Sequence, residues 1–437
     1  MALTVEQVLD TAGAGRYQRR LLGIFGLVWA ADAMQVLAVG FTSASIAASF
    51  AVELPQALQT GTLFFLGMLI GAALFGRLAD RFGRRNVLLI TVACDAVFGL
   101  LSVFAPSLWF LYGLRFLTGI AVGGTLPVDY AMMAEFLPAK NRGRWLVILE
   151  GFWAVGTVAI ALAAWLTSLY VPPGDAWRYI LAFTALPALI GIWLRLWVPE
   201  SPLFLLRNNR QADLHNVLNA ILRTNGKPEL PPETDITAPR TEARQGIFSP
   251  ALRRRTLAIL LVWFLVSISY YGIFTWLPAR LAQDGFGYIR GYGFLVLVAL
   301  AQIPGYALAA WGVETVGRKP TLIGFLILSA AGCALFFFAG EAWLIGTSIL
   351  LMSFALLGTW GALYAFTPEL YPTVSRATGM GAAGAMARLG GLLAPSLMGL
   401  VFAQSFSLAI ALFAALLLLG ALASTLVDAE TRRTVLD

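Results

Sequence analysis

Long apolar runs separated by short polar breaks dominate the chain. Twelve runs are candidate spans. Six fall at 20–47, 58–79, 86–105, 108–134, 145–170 and 177–198, and six more at 254–279, 290–314, 321–339, 343–366, 376–402 and 405–427. Each is near the ~20 residues a helix needs to cross hydrocarbon. The runs are continuous rather than alternating and far longer than barrel strands, so helices are expected. Short connections make neighbours antiparallel. The pattern predicts an all-α integral membrane protein of twelve transmembrane helices. The long polar interval, 199–253, carries Pro228, Pro231, Pro232 and Pro239 and one stretch, 212–223, with the spacing of a short amphipathic helix. It reads as a linker between residues 1–198 and residues 254–437, too short for an autonomous core.

Composition agrees. The chain is 59% hydrophobic and 12% charged, with mean hydropathy +0.79, whereas soluble domains carry about 25% charged residues. Its net charge of +7 is distributed with a direction. Arg16, Arg19, Arg20, Arg77, Arg81, Arg84, Arg85, Lys140, Arg142, Arg144, Arg318, Lys319, Arg376, Arg432 and Arg433 fall in alternate connections and at the termini. The intervening loops carry only Arg178, Arg280 and Arg290. By the positive-inside rule both termini are cytoplasmic. The basic excess is thus explained by an anionic membrane surface and needs no nucleic acid. Cys94 and Cys333 lie inside apolar runs and the single histidine, His215, lies in the polar interval. No metal site, disulfide framework or cofactor is expected. The first 20 residues are polar and the run after them lacks a small-residue cleavage site, so no cleavable signal is expected.

A second pattern is internal. Gly76-Arg-Leu-Ala-Asp80-Arg-Phe-Gly83-Arg84-Arg85 has a fainter copy 234 residues on, in Glu314-Thr-Val-Gly317-Arg318-Lys319. The same offset relates Glu135, Pro138 and Arg142 to Glu369, Pro372 and Arg376, Trp29 to Trp263, and Gly124 to Gly358. One register at several separated places implies duplication into two pseudo-symmetric six-helix halves. Gly83 permits a tight reversal. Asp80, Arg84, Glu314 and Arg318 are candidate gating residues, and Glu135–Arg142 and Glu369–Arg376 are expected as ionic latches. Fixed structural bonding is the other reading of these charges. Gly67 and Gly71, Gly119 and Gly123, and Gly379, Gly384, Gly390 and Gly391 allow close helix approach.

Polar groups at membrane depth supply the candidate chemistry. Asp32, near the middle of the first span, is costly there unless it faces a cavity or a partner. It is the candidate proton-coupling residue, or a counter-charge to a cation. Gln35 shares its helical face. Arg388, in the middle of the eleventh span, offers a planar fork suited to a carboxylate, with a structural pair to a first-half acid as the alternative. Trp29, Trp153, Tyr270, Tyr271, Trp360 and Tyr364, with Gln302, are candidates to hold a flat ring. Arg115, Asp129 and Glu150 are expected in structural or gating roles.

Taken together, the loop blocks resemble the major facilitator superfamily over essentially the whole chain. Pro199-Glu200-Ser201-Pro202 resembles its sugar-porter and organic-ion side. Asp32-Ala-Met, Gly123-Gly-Thr-Leu-Pro127, Glu150-Gly-Phe-Trp-Ala-Val-Gly156, Ser269-Tyr-Tyr-Gly-Ile-Phe-Thr-Trp-Leu-Pro278 and Ala387-Arg-Leu-Gly-Gly391 are similar to the bacterial niacin permease branch, with synaptic-vesicle-protein-like transporters a broader group. The resemblance implies the major facilitator fold, no enzyme activity and proton-linked uptake of nicotinate across a bacterial inner membrane by a monomer. Arg388 would pair with the carboxylate, aromatic rings would sandwich the pyridine, and Gln302 or Tyr364 would bond the ring nitrogen. An organic-cation transporter using Asp32, and a membrane receptor without turnover, are the competing expectations.

Overall fold

The computed structural model describes residues 3–138, 142–185, 187–237, 246–284, 291–402 and 405–428. Its first membrane helices are α2 (Arg16–Phe50), α3 (Leu54–Phe82), α4 (Arg84–Ser102), α5 (Leu108–Glu135) and α6 (Arg142–Tyr170), preceded by the short α1 (Val5–Ala12). There follow α7 (Ala176–Thr184), α8 (Pro187–Trp197), α9 (Pro202–Arg207) and α10 (Gln211–Thr224). The remainder is α11 (Arg253–Asp284), α12 (Tyr292–Leu300), α13 (Gln302–Thr315), α14 (Arg318–Phe338), α15 (Ala342–Phe366), α16 (Thr373–Phe402) and α17 (Phe406–Thr425). Among the described residues ten helical segments are long and apolar enough to cross a membrane. The sixth apolar run is divided between α7 and α8, and the eighth between α12 and α13.

Burial separates central from peripheral helices. In α2 and α11, 83% of the most apolar window is buried, against 33% in α3. A helix apolar all round belongs at a bundle centre, and α2 and α11 are related by the 234-residue offset. The offset also survives in packing. A Cβ built on Gly71 would lie 2.0 Å from the Ile120 carbonyl oxygen, and one on Gly305 would lie 2.1 Å from that of Phe354. Likewise Gly156 abuts the Ala30 carbonyl and Gly390 the Phe264 carbonyl, at 2.2 and 3.0 Å. In both crossings each partner is displaced by the same 234 positions. Glycine is required because backbones touch there.

The linker is more ordered than its composition implies. The amphipathic stretch forms α10, whose Leu214, Leu218, Ile221 and Leu222 share a core with Val5, Val8, Leu9 and Ala12 of α1. Thr4 and Gln7 close a capping box at the start of α1, a signature present in the segment read only as polar. The all-α expectation has one exception, a parallel pairing of β1 (Leu3–Thr4) with β2 (Ile236–Thr237). Asn225 completes this clasp. Its Oδ1 accepts from the Tyr17 backbone N–H at 3.0 Å, and its Nδ2 donates to the Gly13 carbonyl at 3.0 Å and to Gln18 Oε1 at 2.8 Å.

Candidate functional site

The basic loops organise first. Gly83 and Gly317 take φ of +97° and +129°, a region glycine enters without a Cβ clash. Each reversal starts a new helix with an arginine at its first position. Arg84 Nη1 reaches Glu135 Oε1 at 2.8 Å, and Arg318 Nε reaches Glu369 Oε2 at 3.0 Å. These two ion pairs are again related by the 234-residue offset. The expected Glu135–Arg142 and Glu369–Arg376 latches are corrected accordingly: the direct ion pairs of these carboxylates are with Arg84 and Arg318, while Arg376 stays in electrostatic reach of Glu369. The physical reason is that Arg142 and Arg376 are drawn to carbonyls at the ends of the preceding helices. Arg142 Nη2 bonds Leu137 O and Glu6 Oε1, each at 3.3 Å, and Arg376 Nε bonds Pro368 O at 3.0 Å. Glu314 lies 3.4 Å from Arg318. The Asp80 side chain, Lys140, Arg290, Arg432 and Arg433 and the side chain of Arg280 lie outside the described residues. Glu200 accepts from the backbone N–H groups of Arg84 and Arg85 at 3.0 and 3.1 Å, and Ser201 Oγ donates to Glu135. The Pro199–Pro202 motif thereby clamps the first reversal.

At membrane depth the candidate residues divide into groups. Gln35 is committed within α2, α5 and α7. Arg115 Nη1 and Nη2 donate to its Oε1 and its carbonyl at 2.8 and 2.9 Å, and its Nε2 donates to Thr184 O at 3.2 Å. Asp95, in the middle of α4, lies in electrostatic reach of Arg115 and Asp32. Sequence reading passed over Asp95, although an acid inside the third span is itself the signal. Asp32 stands in reach of Asp95, Asp129 and Arg388, and its buried Oδ2 accepts no hydrogen bond among the described residues.

Arg388, on α16, faces Asp32, Tyr271 and Tyr364, and its buried Nε has no described hydrogen-bond partner. Around it runs a chain of aromatic contacts. Trp29 meets Tyr130 at 6.0 Å between ring centroids, Tyr130 meets Tyr364 at 6.2 Å, and Tyr364 meets Trp263 at 4.8 Å. Trp360 meets Tyr270 at 5.9 Å, Tyr270 meets Tyr271 at 5.2 Å, and Tyr271 meets Phe65 at 4.7 Å. The chain joins helices before the linker to helices after it at Tyr130–Tyr364 and at Tyr271–Phe65. Trp153 Nε1 adds a third link, donating to Tyr270 Oη at 3.0 Å. Tyr364 and Arg388 remain partly accessible, whereas Tyr270 is fully buried.

Gln302 adjoins this set through Phe274, whose ring meets Tyr270 at 4.9 Å. It is fully buried, neither amide atom has a described partner, and it lines a cavity of about 20 Å³ with Leu37, Phe41, Thr157, Phe274 and Pro278. A space of this size suits a single water. Tyr130 and Trp263 join the aromatic set although they were not among the expected ring contacts, and Tyr306 lies in electrostatic reach of Tyr130, Tyr270 and Tyr364. Their helical spacing within apolar runs looks like ordinary core until the halves are brought together.

Duplicated loop ion pairs thus accompany a polar and aromatic centre that joins helices before the linker to helices after it. The sugar (and other) transporter family model matches residues 18–434, and the chain belongs to that family of the major facilitator superfamily. A Bacillus subtilis protein bearing a provisional name as a niacin/nicotinamide transporter is 37% identical, the alignment covering 96% of this chain and 98% of that one. The niacin transporter of Acinetobacter baylyi is 36% identical over 89% of this chain and 88% of that one. The Escherichia coli xylose transporter, solved in a partially occluded inward-open conformation, superposes with a TM-score of 0.75 at 18% identity, covering 96% and 100% of the two chains. The protein is therefore a multi-pass membrane transporter, not an enzyme.

Proposed function

We propose that this chain carries nicotinate, or a similar small aromatic monocarboxylate, across the bacterial cytoplasmic membrane by proton-coupled alternating access. The observation that carries the reading is Arg388, a membrane-depth guanidinium with an unpartnered Nε, beside Tyr271 and Tyr364. Such a group needs an anion, and a bidentate carboxylate satisfies it. Tyr271, Trp360 and Tyr364 flank the ring, while Trp29 and Trp153 complete the wall from the other half. The niacin-named relatives support the same cargo. Asp32, in reach of Arg388, carries the coupling proton: substrate carboxylate and Asp32 compete for the one cation.

In this reading twelve spans form two six-helix halves, residues 1–198 and 254–437, joined by the 199–253 linker, with both termini cytoplasmic. The two ion pairs at the basic-loop ends hold each half as a unit while the halves rock about the centre. Uptake of labelled nicotinate into proteoliposomes, with and without an inward proton gradient, tests the proposal. Gradient-stimulated uptake is expected. Equal uptake in both conditions rejects the coupling, and no uptake in either rejects the cargo. The buried acids Asp32, Asp95 and Asp129 favour an organic cation as the second reading, and competition by quaternary amines rather than by nicotinate would support it.

A further inference from the structure

One buried acid has no use in the scheme above. Glu150, on α6, is 4% exposed, and its Oε1 has no described hydrogen-bond partner. It does not face lipid. It lies beside the Trp29 indole and in electrostatic reach of Tyr130 and Asp129 from its own half, and of Tyr271, Tyr306 and Tyr364 from the other. Tyr271 and Tyr364 are the two tyrosines that also sense Arg388. They are therefore in electrostatic reach of both a carboxyl of the first half and a guanidinium of the second.

The internal repeat shows that this placement is an asymmetry. α6 and α16 correspond, and Gly156 and Gly390 pack on equivalent carbonyls, so their register is the same. In that register Glu150 matches Gly384, and Ala154 matches Arg388. At membrane depth each helix thus carries one charged side chain where the other carries Gly384 or Ala154, one turn apart. A Cβ on Gly384 would lie 2.8 Å from Arg388 Nη1, so the glycine leaves room for the guanidinium. The two halves present opposite charges to one centre.

We infer that Glu150 recognises the ring nitrogen of the substrate, opposite the Arg388 contact to its carboxylate. This inference rests on the proposed cargo. The contact requires a single proton shared between Glu150 and the nitrogen, carried either by the carboxyl as a donor or by a pyridinium. The ligand class is thus an aromatic acid with a basic ring nitrogen, rather than any flat carboxylate. Without that nitrogen the buried Oε1 keeps no partner among the described residues, which is how a polar site rejects an analogue lacking its partner. Gln302, which lines the 20 Å³ cavity, is replaced in this role.

The test is a competition between nicotinate and benzoate for the purified full-length transporter, read by titration calorimetry. Wild type is expected to favour nicotinate by at least ~10-fold. In Glu150→Ala the preference is expected to fall to about one, with benzoate affinity kept. Glu150→Gln, whose amide can donate to the nitrogen or accept from a pyridinium, is expected to keep the preference. An unchanged nicotinate preference in Glu150→Ala overturns the inference and leaves the cargo standing. Failure of wild type to bind nicotinate at all removes the cargo and the inference together. If Glu150→Ala does not fold, loss of the nicotinate preference in Glu150→Gln overturns it instead.

Discussion

The loop ends and the membrane centre treat the internal repeat in opposite ways. At the ends the duplication is kept down to the ion pair: Arg84–Glu135 and Arg318–Glu369 occupy equivalent positions. At the centre it is broken. Asp32, Asp95, Arg115, Asp129 and Glu150 correspond to Val266, Ser329, Ile349, Leu363 and Gly384, while Arg388 corresponds to Ala154. Two halves that must move alike need like hinges and like helix crossings. A cargo that is not itself symmetric needs an asymmetric centre. The parts that conserve the repeat are thus assigned to motion, and those that break it to recognition.

The largest effect should come from the symmetric crossings. Gly71→Leu forces a side chain into the Ile120 carbonyl, and Gly305→Leu forces one into that of Phe354. Neither backbone can give way without parting two helices, so each should cost about 3 kcal/mol or more. Size-exclusion profiles and melting temperatures should show little folded protein in both variants. A large loss in one and none in the other would break the equivalence. Next comes the asymmetric centre. Arg388→Ala should keep its melting temperature within a few degrees yet weaken nicotinate binding by about 100-fold, near the 2–5 kcal/mol expected on removing one partner of a buried charged contact. Unchanged affinity would remove Arg388 from the site.

The latches should act on rate rather than affinity. Glu135→Gln and Glu369→Gln each remove one half of an ion pair, and each should slow uptake by about tenfold with binding retained. Equal effects would confirm that the two ends work alike. A markedly larger effect of Glu135→Gln would sharpen the comparison instead, because Ser201 also donates to Glu135 while Glu200 clamps the adjacent reversal. The charge-swapped pair Arg84→Glu with Glu135→Arg should recover part of the rate.

Much of the fold was legible because hydrocarbon imposes a coarse rule. A run such as 343–366 has no alternative to a buried or lipid-facing helix, and the structure places α15 there. The repeat offset was legible too, since Gly83 and Gly317 are demanded by backbone geometry rather than by packing. The latch partners were not. Spacing alone put Glu135 near Arg142, whereas the choice of Arg84 depends on how the Gly83 reversal delivers the next helix. The centre was legible by residue type and not by grouping. Asp32, Arg388 and the aromatics stand out by polarity or size at membrane depth. That Gln35 belongs to Arg115, that Gln302 lines a small cavity and that Tyr130 meets Tyr364 depends on which helix faces which.

The smallest effect is expected where the molecule has no repeat to keep or break. Asn225 ties α10 to the Tyr17 N–H, the Gly13 carbonyl and the Gln18 side chain, and all three lie in the first half. In Asn225→Ala the half-buried Tyr17 N–H and Gly13 carbonyl turn to solvent, and the fully buried Gln18 Oε1 still accepts from the Gly15 N–H at 3.1 Å, so the penalty should be about 1 kcal/mol. The apolar contact between α1 and α10 persists in the variant. Proteolysis of the linker should therefore quicken several-fold while uptake changes by less than about twofold. A drop in uptake comparable to the latch variants would mean that the clasp takes part in the motion. The linker would then have to be counted with the moving ends and no longer as a connection between two halves.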